Sequence, residues 1–241
     1  GAEIRRQAGL RRVTLELGGN GPTIVCEDAD IAEIAPQLAC NAVRLAGQSC
    51  ISVQNIFVPE AMAEELTGAI ASEMETLVVG DPLDEATDIG TLVDEAAAIR
   101  VESWVGEAVD AGAIVVTGGR RNGAQFAPTL LSNVTKDMKV VCDEVFGPVA
   151  SIVTYTDVAE AIKFVNDSPY GLQCGVFTDS TKMAMRAARE IRTGGVIING
   201  SSTWRTDQLA YGGIKDSGIG REGPRYAIQD MTDQRLVLFN L

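Results

Sequence analysis

Histidine is absent from all 241 residues. That removes Ser-His-Asp and Cys-His catalysis and the usual zinc sites together, so no metal site is expected. A basic excess is missing too. Lys and Arg number 20 against 33 Asp and Glu, for a net charge of −13. Such a chain repels phosphate backbones and has no polybasic patch for anionic lipid, which argues against nucleic acid or membrane as a partner. No run approaches the roughly 20 apolar residues of a membrane span, and no signal peptide opens the chain. The five cysteines (Cys26, Cys40, Cys50, Cys142 and Cys174) form no C-x-x-C pair and are odd in number. Free thiols in a reducing, cytoplasmic compartment fit best.

What remains is a chain with 46% hydrophobic residues, enough for one large domain with a real core. Strand-like and helix-like segments alternate. Val13–Leu17, Pro22–Cys26, Val53–Val58, Ala113–Thr117, Phe126–Leu131, Val149–Tyr155, Gly175–Phe177 and Gly195–Ile198 read as strands. Helices are expected over Gly1–Gly9, from Asp28 to Leu45, and over Pro59–Leu77, Asp94–Ala111, Val158–Asn166 and Thr181–Ile191, on apolar positions three and four apart. The alternation predicts a three-layer αβα domain around a largely parallel sheet. Gln234–Phe239 alternates and reads as a terminal strand.

Gly47-Gln48-Ser49-Cys50 sets one thiol just past the end of a long helical segment, ahead of a strand. A thiolate is a strong nucleophile, and with no histidine available its proton must pass to a carboxylate, a lysine or water. Leu15-Glu16-Leu17-Gly18-Gly19 holds a carboxylate between leucines, 34 residues upstream. Burial there would raise its pKa toward neutrality, as a water-activating base requires. The competing reading of Cys50 is a buried structural cysteine.

Gly218-Ile219-Gly220-Arg221-Glu222-Gly223 is a literal G-x-G-x-x-G. A dinucleotide fingerprint needs an apolar strand before it, a helix after it and an acidic residue about 20 positions on. Here Lys215-Asp216-Ser217 precedes and Pro224 follows, so these glycines read as turn geometry.

Four blocks in register resemble the aldehyde dehydrogenase superfamily: Leu15–Gly19, Gly47–Cys50, Glu144-Val145-Phe146-Gly147-Pro148-Val149, and Tyr211-Gly212-Gly213-Ile214-Lys215-Asp216-Ser217-Gly218 with its continuation to Gly223. The resemblance implies Cys50 as nucleophile and Glu16 as general base. Asn199 matches an asparagine that helps order the thiol and base region, and Glu222 a second glutamate with a proton-relay role. It implies NAD or NADP as cofactor, with Glu144 on the nicotinamide ribose, Phe146 beside the nicotinamide, and Leu17 and Gly18 as further cofactor contacts. The substrate would be a small aldehyde, and the full-length assembly a homodimer or homotetramer. Against the family pattern an N-terminal cofactor domain is missing. The chain therefore resembles a catalytic domain over 13–225, with 1–12 a remnant of the domain junction and 226–241 a helix end and strand. Such a piece is not expected to turn over alone.

Ser49 adjoins the nucleophile and is a candidate substrate contact. Arg44, six residues before Cys50, would aim into the same cavity if the helix continued. An arginine at this spacing resembles succinate-semialdehyde dehydrogenases, and Arg205 resembles enzymes of phosphate- or phosphonate-bearing aldehydes. A guanidinium suits such anions through bidentate bonds. Structural readings stay open beside these: a turn carboxylate for Glu144, backbone satisfaction for Asn199, a helix-start carboxylate for Glu222, and surface or ion-paired roles for both arginines. Two other functions also stay open, a non-catalytic interaction domain and a cysteine-dependent esterase.

Overall fold

A computed structural model describes residues 1–241. A seven-stranded sheet forms its middle layer. In chain order its strands are β2 (Pro22–Val25), β3 (Asn55–Pro59), β4 (Ile114–Thr117), β7 (Thr129–Ser132), β8 (Val149–Tyr155), β9 (Gln173–Phe177) and β10 (Gly195–Ile198). Their order across the sheet is β10-β9-β2-β3-β8-β7-β4, and all neighbours run parallel except β4 with β7. β2, β3 and β9 are buried at every position. This is why they read as continuous apolar runs, as strands covered on both faces do.

Helices α2 (Ile31–Val43), α3 (Glu60–Glu75), α4 (Glu95–Asp110) and α5 (Lys139–Cys142) cover one face; α6 (Val158–Asp167) and α7 (Thr181–Glu190) cover the other. Alternate residues serve the two layers: Ile56 and Val58 of β3 face the larger core, Phe57 the smaller. Side-chain oxygens of Asp30, Asp94, Asp157 and Ser180 cap α2, α4, α6 and α7, satisfying first-turn donors that otherwise lack partners. No helix is long and apolar enough to cross a membrane.

The expected αβα architecture is present, with three local differences. The segment Val13–Leu17 pairs over only two residues: β1 (Leu15–Glu16) meets β11 (Gly218–Ile219) antiparallel, outside the main sheet. Gly218–Gly223 therefore serves this pairing and the start of α8 (Pro224–Met231). The loop after β4 hides a small hairpin of β5 (Arg121–Asn122) and β6 (Gln125–Phe126). Gln234–Phe239 is not a strand. Alternation alone cannot make one: Leu238 is 76% and Phe239 79% exposed, so neither face has anything to pack on. A seven-residue helix, α1 (Ala2–Ala8), precedes these elements and buries no residue.

Candidate active site

Cys50 is positioned by the break after α2. The helix stops at Val43, and Leu45, Ala46 and Gly47 then take positive φ of 54°, 53° and 68°. A left-handed residue with a side chain costs roughly 1–2 kcal/mol, so the turn must be held from outside. Ser52 Oγ donates to Ala42 O at 2.9 Å, Val53 N to Asn41 O at 3.2 Å, and Val93 N to Gln48 Oε1 at 2.7 Å. Gly47 has a second reason to be glycine. A Cβ there would collide with the Gly147 carbonyl, so this residue lets the thiol loop dock on the Glu144–Val149 block. Cys50 itself is half-buried, packed against Ile51, Leu172 and Tyr211.

Beside the thiol lies a cluster from three separated segments. Tyr211 Oη is 3.1 Å from Cys50 Sγ. Gly212 sits against the Glu16 carboxyl, where an added Cβ would be 2.9 Å from Oε1. Both Glu16 oxygens are buried without a hydrogen-bond partner. Burial, reinforced by the charge of Glu222, pushes the Glu16 carboxyl up to about 7, against the opposing pull of Arg205 and Arg221. Burial also raises the Cys50 thiol, and the Tyr211 hydroxyl works the other way. Arg205 bridges the group: Nη2 lies 3.5 Å from Glu222 Oε2 and from Asp207 Oδ1, and the guanidinium is 4.2 Å from the Tyr211 ring centroid. Thus Glu16, Cys50, Arg205 and Glu222 come together from four places in the sequence.

Glu144 and Phe146 form a second group. Glu144 Oε1 accepts from Gly19 N at 3.0 Å, and its carboxylate lies over Gly18. Leu17 N donates to Ser217 O at 3.1 Å, which fixes the Glu16–Gly19 turn between the two groups. Phe146 is 41% exposed at φ 48°. A large apolar ring held outward on a left-handed residue fits a planar ring partner, and a half-buried carboxylate beside it fits sugar hydroxyls. These residues are therefore compatible with a nicotinamide ribose.

Two further candidates lie differently from expectation. Asn199 follows β10, and its Oδ1 accepts from Thr178 N at 2.9 Å, past the carboxyl end of β9. Leu172, which touches Cys50, precedes the amino end of that strand. The five residues of β9, six steps from Leu172 to Thr178, separate the two levels by about 20 Å. Asn199 thus satisfies backbone at the far edge of the sheet and does not join the cluster. Arg44 is exposed, and the helix that would have aimed it at Cys50 ends one residue before it. Ser49 is half-buried next to the thiol, with its carbonyl accepting from Ser52 N at 3.0 Å.

Sequence reasoning missed Tyr211 and a trio of buried amides. Gln54 Nε2 donates to Val140 O at 3.0 Å and Asp143 O at 2.6 Å, while its Oε1 accepts from Val145 N at 3.0 Å. Asn20 and Asn55 both donate to Val141 O. Arg100 Nη2 adds a bond to Val145 O at 2.7 Å. Together they fix the loop that carries Glu144 and Phe146. The available signal was two amides, Gln54 and Asn55, inside an otherwise apolar strand.

This constellation on this fold defines a class, and comparison places the chain within it. Residues 1–237 match the aldehyde dehydrogenase family, and the chain belongs to that family. It is 49% identical over its whole length to a 3-sulfolactaldehyde dehydrogenase of Priestia aryabhattai, covering 50% of that protein. To a lactaldehyde dehydrogenase of Methanococcus maripaludis it is 38% identical over 240 residues, covering 51%. A glyceraldehyde-3-phosphate dehydrogenase of Methanocaldococcus jannaschii, solved with NADP, superposes with a TM-score of 0.93 at 39% identity, over 96% of this chain and 50% of that one. The chain spans about half the length of the curated relatives it matches.

Proposed function

We propose that this chain is the catalytic half of an NAD(P)-dependent aldehyde dehydrogenase that oxidises a small anionic aldehyde to its acid, and that it turns over nothing without the other half. One observation carries the reading. The Cys50 thiol lies within electrostatic reach of a buried, partnerless Glu16 carboxyl that burial pushes up to about 7.

The Cys50 thiolate adds to the aldehyde carbon, forming a C–S bond and a tetrahedral thiohemiacetal. Glu144 and Phe146 would hold the sugar and ring of a nicotinamide, which when bound would supply the hydride acceptor needed to take the adduct to a thioester. Sulfur then serves as a good leaving group. Glu16 takes a proton from water, the hydroxide attacks the thioester carbonyl, and the acid departs as the thiolate is restored. In this reading Glu222 passes that proton outward; its ion pair with Arg205 and its effect on Glu16 support the role.

Arg205 is the substrate cation in this reading, with Arg44 on the outer turn as second candidate and Ser49 as a neighbouring contact. Hydrogen bonds to a charged group are worth roughly 1.5–3 kcal/mol, or about 10- to 150-fold. Arg205 already holds Glu222 and Asp207 at 3.5 Å, so an anionic tail exchanges one partner for another and the gain falls near tenfold. The sulfonate and phosphate in two relatives' names agree with such a tail; lactaldehyde, in the third, carries none. The open edge strand β10 and the exposed Leu236–Phe239 segment favour a homodimer or homotetramer.

An aldehyde panel on the full-length protein with both cofactors tests the proposal. NAD(P)+ reduction with sulfonate, phosphonate or carboxylate aldehydes at about tenfold higher kcat/KM than with propanal is expected. Ester hydrolysis with no NAD(P)+ reduction would overturn the oxidation reading in favour of an esterase.

A further inference from the structure

Tyr211 is fixed on every side. Its ring is buried with Ile51 and Leu172, and the Arg205 guanidinium lies 4.2 Å from the ring centroid. Its backbone is locked to Glu222 by two bonds, from Glu222 N at 2.6 Å and to Glu222 O at 3.2 Å. Its hydroxyl then has one place to go, 3.1 Å from Cys50 Sγ. Burial holds the phenol far above its ordinary range, so it keeps its proton at any working pH. While the sulfur is a thiol, either atom can donate. Once it is a thiolate it can only accept, and the O–H must donate. A bond to the charged acceptor is the stronger of the two.

We propose that Tyr211 is a catalytic residue of the thiol chemistry: its hydroxyl donates to the Cys50 thiolate, favours the ionised nucleophile and holds the sulfur facing the cleft. The inference rests on Cys50 being the nucleophile. The phenol gives up no proton; the thiol proton leaves to water. When sulfur bonds carbon, the negative charge passes to the substrate oxygen, and the O–H is left beside a neutral sulfur, a weak acceptor.

Two effects of losing this bond oppose each other. A bond to a charged group exceeds a neutral one by about 1–1.5 kcal/mol, so Tyr211→Phe should lower the thiolate fraction about five- to tenfold below the thiol pKa. A less stabilised thiolate is the better nucleophile, with a Brønsted slope of about 0.4–0.5, so its intrinsic rate should rise about two- to threefold. The test is the rate of Cys50 alkylation by iodoacetamide against pH, followed by mass spectrometry on the full-length protein. Iodoacetamide forms the S–C bond and releases iodide, so it reports the thiolate with no nicotinamide chemistry involved. The Phe variant keeps the ring against Ile51, Leu172 and Arg205. It should react about two- to fourfold more slowly at neutral pH and about two- to threefold faster at the alkaline plateau, so that the two profiles cross. Superimposable profiles, or the same loss at every pH, would overturn the proposal. Full aldehyde oxidation by a Cys50→Ala variant would overturn the reading beneath it, whatever the Tyr211 profiles show.

Discussion

Replacing Glu16 by glutamine keeps the shape of the side chain and removes its charge. Both carboxyl oxygens are buried without partners, and the group titrates at about 7. Below that pH it is protonated and cannot take a proton from water; above it the base is ready. Deacylation should therefore rise about tenfold per pH unit up to about 7 and level off beyond. Loss of a positioned general base costs about 10²- to 10⁴-fold. Addition of the thiolate to the aldehyde asks nothing of Glu16. In stopped-flow on the full-length protein, Glu16→Gln should keep the burst of NAD(P)H and then turn over at least ~100-fold more slowly, with no inflection near pH 7. The same substitution has a signature in stability. An acid whose pKa is raised on folding stays protonated in the folded chain where the unfolded chain has lost its proton, so stability falls as pH rises from 4.5 to about 7. At about 1.4 kcal/mol per pH unit the full loss is about 3 kcal/mol. Water reaching the cleft screens that to roughly 1–2 kcal/mol. Glutamine does not titrate, so its stability relative to the parent should improve by that amount between pH 4.5 and 8 in urea unfolding. Loss of the burst would refute the assignment and make Glu16 the acceptor of the thiol proton. An unchanged steady-state rate would remove it from the chemistry altogether.

Of the five cysteines, Cys50 should label first with iodoacetamide in the full-length protein, read by peptide mapping. Cys26 and Cys174 are buried with thiols pushed up, Cys26 to about 11, so first labelling at Cys142 would sink the assignment. Arg205→Ala should erase most of the roughly tenfold preference for anionic aldehydes through KM, since a tail contact is made in ground and transition states alike; an unchanged preference would move the anion site elsewhere, with Arg44→Ala the next variant to assay. Gln54→Leu leaves the Asp143 carbonyl and the Val145 N–H without partners and Val140 O with only the 3.5 Å bond from Ser151 Oγ, which should cost about 3 kcal/mol in urea unfolding and weaken cofactor binding. A loss under 1 kcal/mol would show that water takes over those bonds.

The sheet was legible because burial on both faces writes an unmistakable pattern. Pro22–Val25 and Val149–Tyr155 read as apolar runs in the sequence and sit under helices on both sides in the fold. The alternation at Gln234–Phe239 misled because period-two patterning describes a strand only when another strand is present to hydrogen-bond it. Cys50 and Glu16 could be picked out by residue type and by the lack of any histidine to assist them. The proximity of Arg205, Glu222 and Tyr211 could not be derived that way. It depends on the β1–β11 pairing, which folds Gly218 back onto Glu16 across about 200 residues of chain. Arg44 failed as a geometric argument for a local reason: helical spacing means nothing across three residues of positive φ. Asn199 was tied to the thiol only through its match to the family motif, which does not say what its side chain bonds; here that is Thr178 N.

The lack of histidine has a structural consequence that the cluster makes plain. A histidine beside a cysteine would supply both a proton acceptor and a positive charge to the thiolate. Here those duties are divided. In the proposed mechanism the thiol proton goes to water and the base that later activates water is a carboxylate, and an ionised carboxylate near the sulfur raises the thiol pKa, as Glu16 and Glu144 do for Cys50. A base that must not repel the nucleophile is best kept neutral until it is needed. Burial without a hydrogen-bond partner does this for Glu16. Stabilisation of the thiolate then has to come from a group that donates without carrying a second negative charge, and the buried phenol of Tyr211 meets that condition. Of the two arginines near Glu16, Arg205 is turned toward Glu222 and the tyrosine ring and makes no bond to the sulfur. On the proposed mechanism its charge would be held for an anionic substrate, and a neutral donor would activate the thiol instead.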